Sequence, residues 1–280
     1  MSDGPIAKRE RNMANPGSSG TARIGLPAAA SILFTRNLER SRTAGAPGTA
    51  LAPTLRGAYR IMRTDEVDAK DVPLSVDQRN DIVATGVAAA TRSSGDSFQG
   101  TARKAAKLSI ADAPVESFSD VKDIIASLPA KKAMVDHDPL ITTDADSDRV
   151  TEEQRNIGVD AFIYAISREN DNDFHLIVGR DPKLRPPMYM TMEVSGLPAR
   201  GDASFAQLKK VRDTFKDFFG ADLPGASYDF YDPPIPIKVE GSLFFDMSHA
   251  HGQSPGPPSL HPDMPVIWEV HPVSDIVFEP

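Results

Sequence analysis

The side chains of this sequence that could do chemistry gather near its C-terminal end. Four of its six histidines fall within 23 residues: His249, His251, His261 and His271. In extended chain the imidazoles of His249 and His251 would point the same way, and imidazole is a ligand for Zn²⁺ and similar metals. The spacing therefore predicts a divalent-metal candidate at His249, His251 and His261. The alternative, favoured by the many prolines and the absence of cysteine, is a polar loop whose histidines bond to backbone.

A second set of polar residues lies on or beside the predicted strands of the last third of the chain. Its members are His175, Glu193, Asp246, Glu269 and His271. We expect them to converge on one surface and to bind a ligand there. A carboxylate that orients a histidine on such a surface would also give a general base. No nucleophile elbow, phosphate loop or paired-acid motif accompanies them, so the sequence assigns no catalytic residue. A structural role for His271, satisfying buried backbone groups near Pro272, is the alternative.

Two stretches of period-two hydrophobicity flank one amphipathic segment, and these elements must position the polar residues. Residues 188–195 and 235–246 alternate apolar and polar side chains, which is typical of half-buried strands. Residues 204–219 carry phenylalanines and aliphatics at helical spacing. Ser204 with Gln207 predicts a capping box, and Gly220 is well placed to end this helix.

The order of elements in residues 151–280 predicts one β domain. Strands at 158–167 and 174–179 precede the elements above, and a last strand at 266–278 follows them. The fold class predicted is mainly β or α+β: a five-stranded, OB-like Greek-key barrel with one helix between strands 3 and 4. A plain α+β sandwich is the alternative.

The strand motifs also resemble a family. Asp-Asn-Asp-Phe-His-Leu at 171–176, Gly-Ser-Leu-Phe-Phe-Asp at 241–246 and Trp-Glu-Val-His-Pro-Val at 268–273 are similar to a group of uncharacterised bacterial proteins. That group shares D-x-D-[YF]-H-L, FFD and E-[IV]-H-P-V strands, and the likeness covers residues 115–280. The resemblance implies an OB-type barrel distantly similar to the staphylococcal nuclease fold. It implies no activity, and this sequence lacks the pattern of catalytic carboxylates and arginines of the nuclease family.

The charge of the chain is unevenly distributed. Ten basic and three acidic side chains give residues 1–63 a net charge of +7, so the remainder carries −15 of the total of −8. We interpret residues 1–63 as a basic, largely extended or disordered arm that orders on an acidic partner. The arginines expected to bind that partner are Arg9, Arg11, Arg23, Arg36, Arg40 and Arg42.

Residues 64–150 are predicted to be a helical and linker region before the β domain. Their last part contains Asp144, Asp146 and Asp148, which copy the start of an EF-hand loop. Arg149 and Arg155 stand where that loop requires glycine and a bidentate glutamate. We therefore interpret this segment as a solvated acidic linker.

The composition limits the classes of function. There is no cysteine, so disulfides and thiolate chemistry are excluded, and no apolar run reaches the ~20 residues of a transmembrane helix. The polar N-terminus predicts no signal peptide, and we expect a cytoplasmic protein or part of a soluble assembly. Nucleic acid is expected only at the arm, because the remainder of the chain is acidic.

The sequence supports two hypotheses of function. The first is a non-catalytic interaction or assembly protein, with the barrel as the docking or ligand-binding module, the basic arm on a protein partner or a second copy, and no cofactor. The alternative is a metal-assisted hydrolase, similar to a phosphodiesterase or nuclease, that uses the His/Asp cluster at 246–271.

Overall fold

The computed structural model describes the segments 31–35 and 58–63 together with residues 95–250 and 255–279. In this part the strands are β1 (Ser31–Thr35), β2 (Ala58–Arg63), β3 (Val115–Phe118), β4 (Asn156–Arg168), β5 (Phe174–Gly179), β6 (Tyr189–Val194), β7 (Asp229–Phe245) and β8 (Trp268–Phe278). The α-helices are α1 (Lys104–Lys107), α2 (Val121–Ser127), α3 (Lys131–Val135), α4 (Phe205–Phe219) and α5 (Met247–Ala250). The architecture is mainly β, with few helices.

The strands form one mixed sheet in the order β1-β2-β7-β8-β6-β5-β4-β3, and an additional pairing of β7 with β4 closes part of it into a ring. Around that ring β4, β5, β6, β8 and β7 follow one another, and the return to β4 runs from Asn156↔Ser242 to Ile166↔Asp229. Strands β6 and β8 are parallel, whereas the other pairs of the ring are antiparallel. The closure gives the two long strands, β4 and β7, partners on both sides.

The alternation predicted for residues 188–195 and 235–246 decides which side chains enter the ring. Met190, Met192 and Val194 of β6 join the main apolar core, as do Leu243 and Phe245 of β7. Because neighbouring residues of a strand face opposite ways, the positions between them are directed outward. The outward positions of β5, β6 and β8 carry the histidines and acids described below.

Helix α4 packs the open end of the ring. Phe215 stacks on Phe174 of β5 with ring centroids 4.5 Å apart, and Phe218 stacks on Phe278 of β8. Gly220 ends the helix with φ 58°, a conformation that glycine adopts at low cost. The predicted capping box is wrong, because the Ser204 hydroxyl donates to the Leu108 carbonyl and the Gln207 amide to the Ser274 carbonyl.

Two segments cover the outward face of β5, β6 and β7. The first includes Phe98, whose backbone N–H donates to the Leu197 carbonyl, and Gln99, whose N–H donates to the Asp171 carbonyl, and it continues into α1. The second contains Leu260 and Met264, which pack with Ile177 and Tyr189 in a separate apolar cluster. The outward face of these strands is therefore also buried, between the ring and the two covering segments. Among the helices of the described residues, none has the length and apolar character needed to cross a bilayer.

Parts of the segment predicted as an arm belong to the sheet. Strand β2 pairs antiparallel with Asp229–Asp232 of β7, and β1 pairs with β2. Tyr59 and Ile61 of β2 are buried, because their alternation directs both toward the main core. The arginines assigned to partner binding, Arg9, Arg11, Arg23, Arg36, Arg40 and Arg42, lie outside the described residues.

Gly241 lies where β7 meets the bent part of β8, and we expect Gly241→Ala to lower the free energy of unfolding by about 1–3 kcal/mol. A Cβ at this position would lie 2.5 Å from the Pro272 carbonyl oxygen and from Val270 Cγ1. The register between β7 and β8 shifts on both sides of Gly241, and we expect a movement of its backbone away from Pro272 to cost free energy. Urea denaturation of both proteins measures the loss.

Gly225→Ala is the matched control for this prediction. A Cβ at Gly225 would meet no atom within 4 Å, so we expect a change within about 0.5 kcal/mol. Equal effects of the two substitutions would contradict the close approach of β7 and β8 as the reason for the glycine.

Candidate functional site

Four of the five polar residues predicted to converge lie together on the outward face of the ring. His175 of β5 pairs across the sheet with Glu193 of β6, and Glu269 and His271 come from β8, the parallel neighbour of β6. The His175 Nδ1 lies 3.1 Å from Glu193 Oε1, and the His271 Nδ1 lies 3.0 Å from Glu193 Oε2. Glu269 Oε2 is 3.8 Å from the same His271 nitrogen. None of the four is more than 3% exposed.

Acidic residues from the turn before β5 complete this buried cluster. Asp173 Oδ2 lies 3.3 Å from His271 Nε2, and Glu169 Oε1 lies 3.4 Å from His175 Nδ1. Asp171 is held 3.4 Å from the Lys107 ammonium of α1. In the sequence, Asp171 and Asp173 were identified only as part of the strand motif at 171–176, with no role in a site. Asp171, Asp173 and His175 nevertheless share the period of two that places side chains on one face, and that spacing could have identified them.

Asp246, the fifth predicted residue, belongs to a neighbouring group. Its carboxylate contacts the Nδ1 of His249 in α5, and one ligand atom each from Asp246, His249 and Glu269 lie within 4.8 Å of one another. The Asp246 side chain also accepts the backbone N–H of Ser248, which begins the turn that carries His249. The cluster and this group therefore adjoin through Glu269 of β8.

The structure describes two of the three members of the metal candidate predicted from the histidine spacing, and it places them in different surroundings. Only His249 of its three members joins a group of ligating side chains within the described residues. His261 lies in a 3₁₀ turn, and its Nε2 is 2.6 Å from the Gly256 carbonyl oxygen, so a hydrogen bond within its own loop occupies it. His251 lies outside the described residues.

The two buried histidines are held in their charged form by the surrounding carboxylates. Burial opposes the charge of His175, but Glu169 and Glu193 outweigh it and raise its pKa to about 9. Burial opposes the charge of His271 as well, and Glu193 together with Asp173 and Glu269 raises its pKa well above the ordinary value. Carboxylates within hydrogen-bonding distance favour the imidazolium in this way.

The carboxyl groups of the cluster differ in how their charge is compensated. Burial would raise the pKa of Glu193, but the adjacent His271 and His175 hold it well below the ordinary value. Burial and the charge of Asp173 raise the pKa of Asp171 well above its usual range. Burial also raises the pKa of Asp173 and, with Glu193, that of Glu269. Glu193 is thus the anion at the centre of the cluster.

The arrangement combines chemically capable groups with burial. One ligand atom each from Glu169, His175 and Glu193 lie within 4.8 Å of one another, and so do those of Asp173, Glu193 and His271. The oxygen and nitrogen donors of both groups suit a divalent cation. The two covering segments, which contain Phe98 and Leu260, enclose these groups, so the cluster is placed for binding an enclosed ion or for charge pairing.

Comparison of the chain with known protein families, with curated proteins and with solved structures gave no match. No function can therefore be transferred to this chain from a similar protein.

Proposed function

We propose that this protein is a non-catalytic assembly module, in which the ring of strands is an OB-type β-barrel and the basic N-terminal residues bind an acidic surface of a second copy. Three lines of support are the order of the strands, the burial of the reactive groups and the distribution of charge. The charge distribution carries the proposal.

The strand order supports the OB-type interpretation. An OB-fold is a five-stranded Greek-key barrel, and here five strands close a ring in the order β4-β5-β6-β8-β7. The only long helix of the described residues, α4, lies between β6 and β7, as the sequence predicted for strands 3 and 4. In such folds the face of the second and third strands binds ligands. The chain covers that face of β5 and β6 with its own segments.

The burial of the cluster favours binding over catalysis. A general base must come within hydrogen-bond reach of its substrate, whereas His175, Glu193 and His271 are enclosed on all sides by protein. Their charges are also compensated by one another rather than directed at a cleft. The surface left for a partner is therefore outside this cluster.

An acidic surface is available for the basic arm. Residues 133–148 contain five aspartates and neither lysine nor arginine, and Asp138, Asp144, Asp146 and Asp148 are exposed. The +7 charge of residues 1–63 complements this segment. Oppositely charged surfaces accelerate and orient association. A second copy of the chain supplies both surfaces at equal concentration, which is why we propose self-assembly.

Light scattering at two ionic strengths tests this proposal. The Debye length falls from about 30 Å at 0.01 M salt to about 3 Å at 1 M, so exposed charge pairs are largely screened at the higher value. We expect species larger than the 30.2 kDa chain at low salt and their dissociation at high salt. A monomer at both ionic strengths would overturn the proposal.

Charge-neutralised variants locate the surface. We expect the fourfold change of Asp138, Asp144, Asp146 and Asp148 to Asn to abolish assembly at low salt. The control variant removes the same number of exposed charges elsewhere, through Asp112→Asn, Asp160→Asn, Asp217→Asn and Glu240→Gln. We expect it to assemble as the unmodified protein does.

A metal-assisted hydrolase remains the second candidate, because Asp246, His249 and Glu269 bring three potential metal ligands within 4.8 Å of one another. The proposal would use the metal as a Lewis acid toward a phosphodiester. Release of nitrophenol from bis(p-nitrophenyl) phosphate in the presence of Zn²⁺ or Mn²⁺, lost in His249→Ala, would favour this candidate over the assembly module. Activity that His249→Ala retains would exclude these residues from it.

A further inference from the structure

Asp173, Glu193 and His271 meet in the interior between the ring and its covering segments. They come from the turn before β5, from β6 and from β8, and each is at most 1% exposed. One ligand atom of each lies within 4.8 Å of those of the other two. Two neighbouring elements and the remote strand β8 therefore bring two carboxylates and one imidazole to a single point.

Each carboxylate has one oxygen fixed by a hydrogen bond and one that is not. Asp173 Oδ1 accepts the backbone N–H of Gly196, whereas its Oδ2 has no hydrogen-bond partner. Glu193 Oε1 is bonded by His175 Nδ1, whereas its Oε2 has no hydrogen-bond partner. Metal ligands are oriented in this way, because groups behind them hold one atom and leave the other for the ion.

His271 has no hydrogen-bond partner at either ring nitrogen, although it is completely buried. Its Nε2 and Nδ1 lie 3.3 Å and 3.0 Å from Asp173 Oδ2 and Glu193 Oε2, but neither contact has the geometry of a hydrogen bond. Buried polar groups in proteins are almost always bonded, and an ion is one of the few explanations for those that are not. Asp173 Oδ2, Glu193 Oε2 and the two ring nitrogens of His271 thus meet around one point without a hydrogen bond among them.

The surroundings of these three residues are rich in carboxylates. Five face one another there, against the Lys107 ammonium and two histidines: those of Glu169, Asp171, Asp173, Glu193 and Glu269. A divalent ion would give these acids a further partner, and it would take the place of the proton on the His271 nitrogen that binds it.

We propose that Asp173, Glu193 and His271 bind one divalent transition-metal ion, Zn²⁺ or Mn²⁺, in a buried site. Two oxygen donors and one nitrogen donor suit these ions, whereas Mg²⁺ prefers oxygen donors alone. The site links the turn before β5 to β6 and β8, and its burial keeps it from substrates. His175 acts on the ion through Glu193 and is a positioning residue.

Metal analysis of the purified full-length protein is the first test. We expect about one equivalent of Zn²⁺ or Mn²⁺ per chain by mass spectrometry. After removal of metal with a chelator, we expect a lower melting temperature that Zn²⁺ or Mn²⁺ restores and Mg²⁺ does not, because binding to the folded state alone stabilises it. Purified protein without stoichiometric metal, together with no heat of binding in the chelator-treated protein, would overturn the proposal.

Near-isosteric variants test which residues bind. We expect Asp173→Asn and His271→Gln to lose binding, His175→Gln to bind about 10–100-fold more weakly with the same stoichiometry, and Glu153→Gln to bind as the unmodified protein does. Glu153 is an equally buried carboxylate outside the cluster, paired with Arg103. Loss of metal in Asp246→Asn but not in Asp173→Asn would place the ion in the neighbouring group and contradict the assignment. The absorption of bound Co²⁺ reports the same ligands, and we expect His271→Gln to remove its visible bands.

Discussion

Replacing Arg149 by alanine is expected to lower the free energy of unfolding by about 3–5 kcal/mol, because it leaves several buried acceptors unpaired. The guanidinium donates to the carbonyls of Ala106, Ser109, Leu243 and His271, with distances between 2.5 and 2.8 Å. These acceptors belong to the segment around α1, to β7 and to β8. One side chain thus fastens the first covering segment to two strands of the ring.

Burial acts against this arginine and does not change the prediction. It lowers the pKa of Arg149 to about 10, with Glu153 offsetting part of that cost, so the group is still protonated at neutral pH. The alanine variant removes the cost of burying the charge but takes a donor from all four carbonyls, of which Ala106 keeps the N–H and hydroxyl of Ser109. Since burying an amide group without a hydrogen bond costs several kcal/mol, the loss outweighs the gain.

Arg155→Ala is the control for Arg149→Ala. Arg155 makes a bidentate pair with Glu116 that is partly exposed, and such pairs contribute about 0–1 kcal/mol. Guanidinium chloride denaturation compares the variants. If Arg149→Ala unfolded at the same denaturant concentration as Arg155→Ala, the backbone contacts of Arg149 would not be what holds the covering segment.

The individual helices and strands of this fold can be predicted from the sequence because they depend on the periodicity of apolar side chains. The spacing of Phe215, Phe218 and Phe219 predicted α4, and the alternation of Met190, Met192 and Val194 predicted β6 with its inward face. The same alternation placed Glu193 outward, and with it the convergence of neighbouring strands on one polar surface. A period of two fixes the face of a side chain without any knowledge of its partners.

The position of the covering segments could not be predicted from the sequence, because it depends on contacts between residues that are distant along the chain. Arg149 was interpreted only as a departure from a calcium-loop pattern, yet it bonds to His271, 122 positions away. His261 was grouped with His249 by proximity along the chain, but its Nε2 bonds to the Gly256 carbonyl within its own loop. Asp173 became part of the cluster only because β8 lies beside β6, and a pairing between remote strands leaves no local pattern.

The second large effect is expected at Arg212 of α4, where Arg212→Met should lower the free energy of unfolding by about 3–5 kcal/mol. The side chain is fully buried and donates to the Ser195 carbonyl at 2.9 Å and to the Asn172 carbonyl at 3.0 Å. Its guanidinium also lies 4.8 Å from the centre of the Phe174 ring. Methionine keeps much of the apolar volume, so the loss reports the hydrogen bonds and not a cavity.

Lys216 provides a matched control, because both cations bind the same carboxylate of Asp96 from the same helix. The Lys216 side chain is 35% exposed and bonds to the Asp96 carboxylate, so Lys216→Met should cost less than about 1 kcal/mol. The difference between the two variants isolates the bonds from Arg212 to the turn that carries Asp173 and to the end of β6. Because those bonds hold two ligands of the proposed metal site in place, Arg212→Met should also weaken Zn²⁺ or Mn²⁺ binding, while Lys216→Met should not. Equal losses of stability in both variants would instead assign the effect to Asp96 alone.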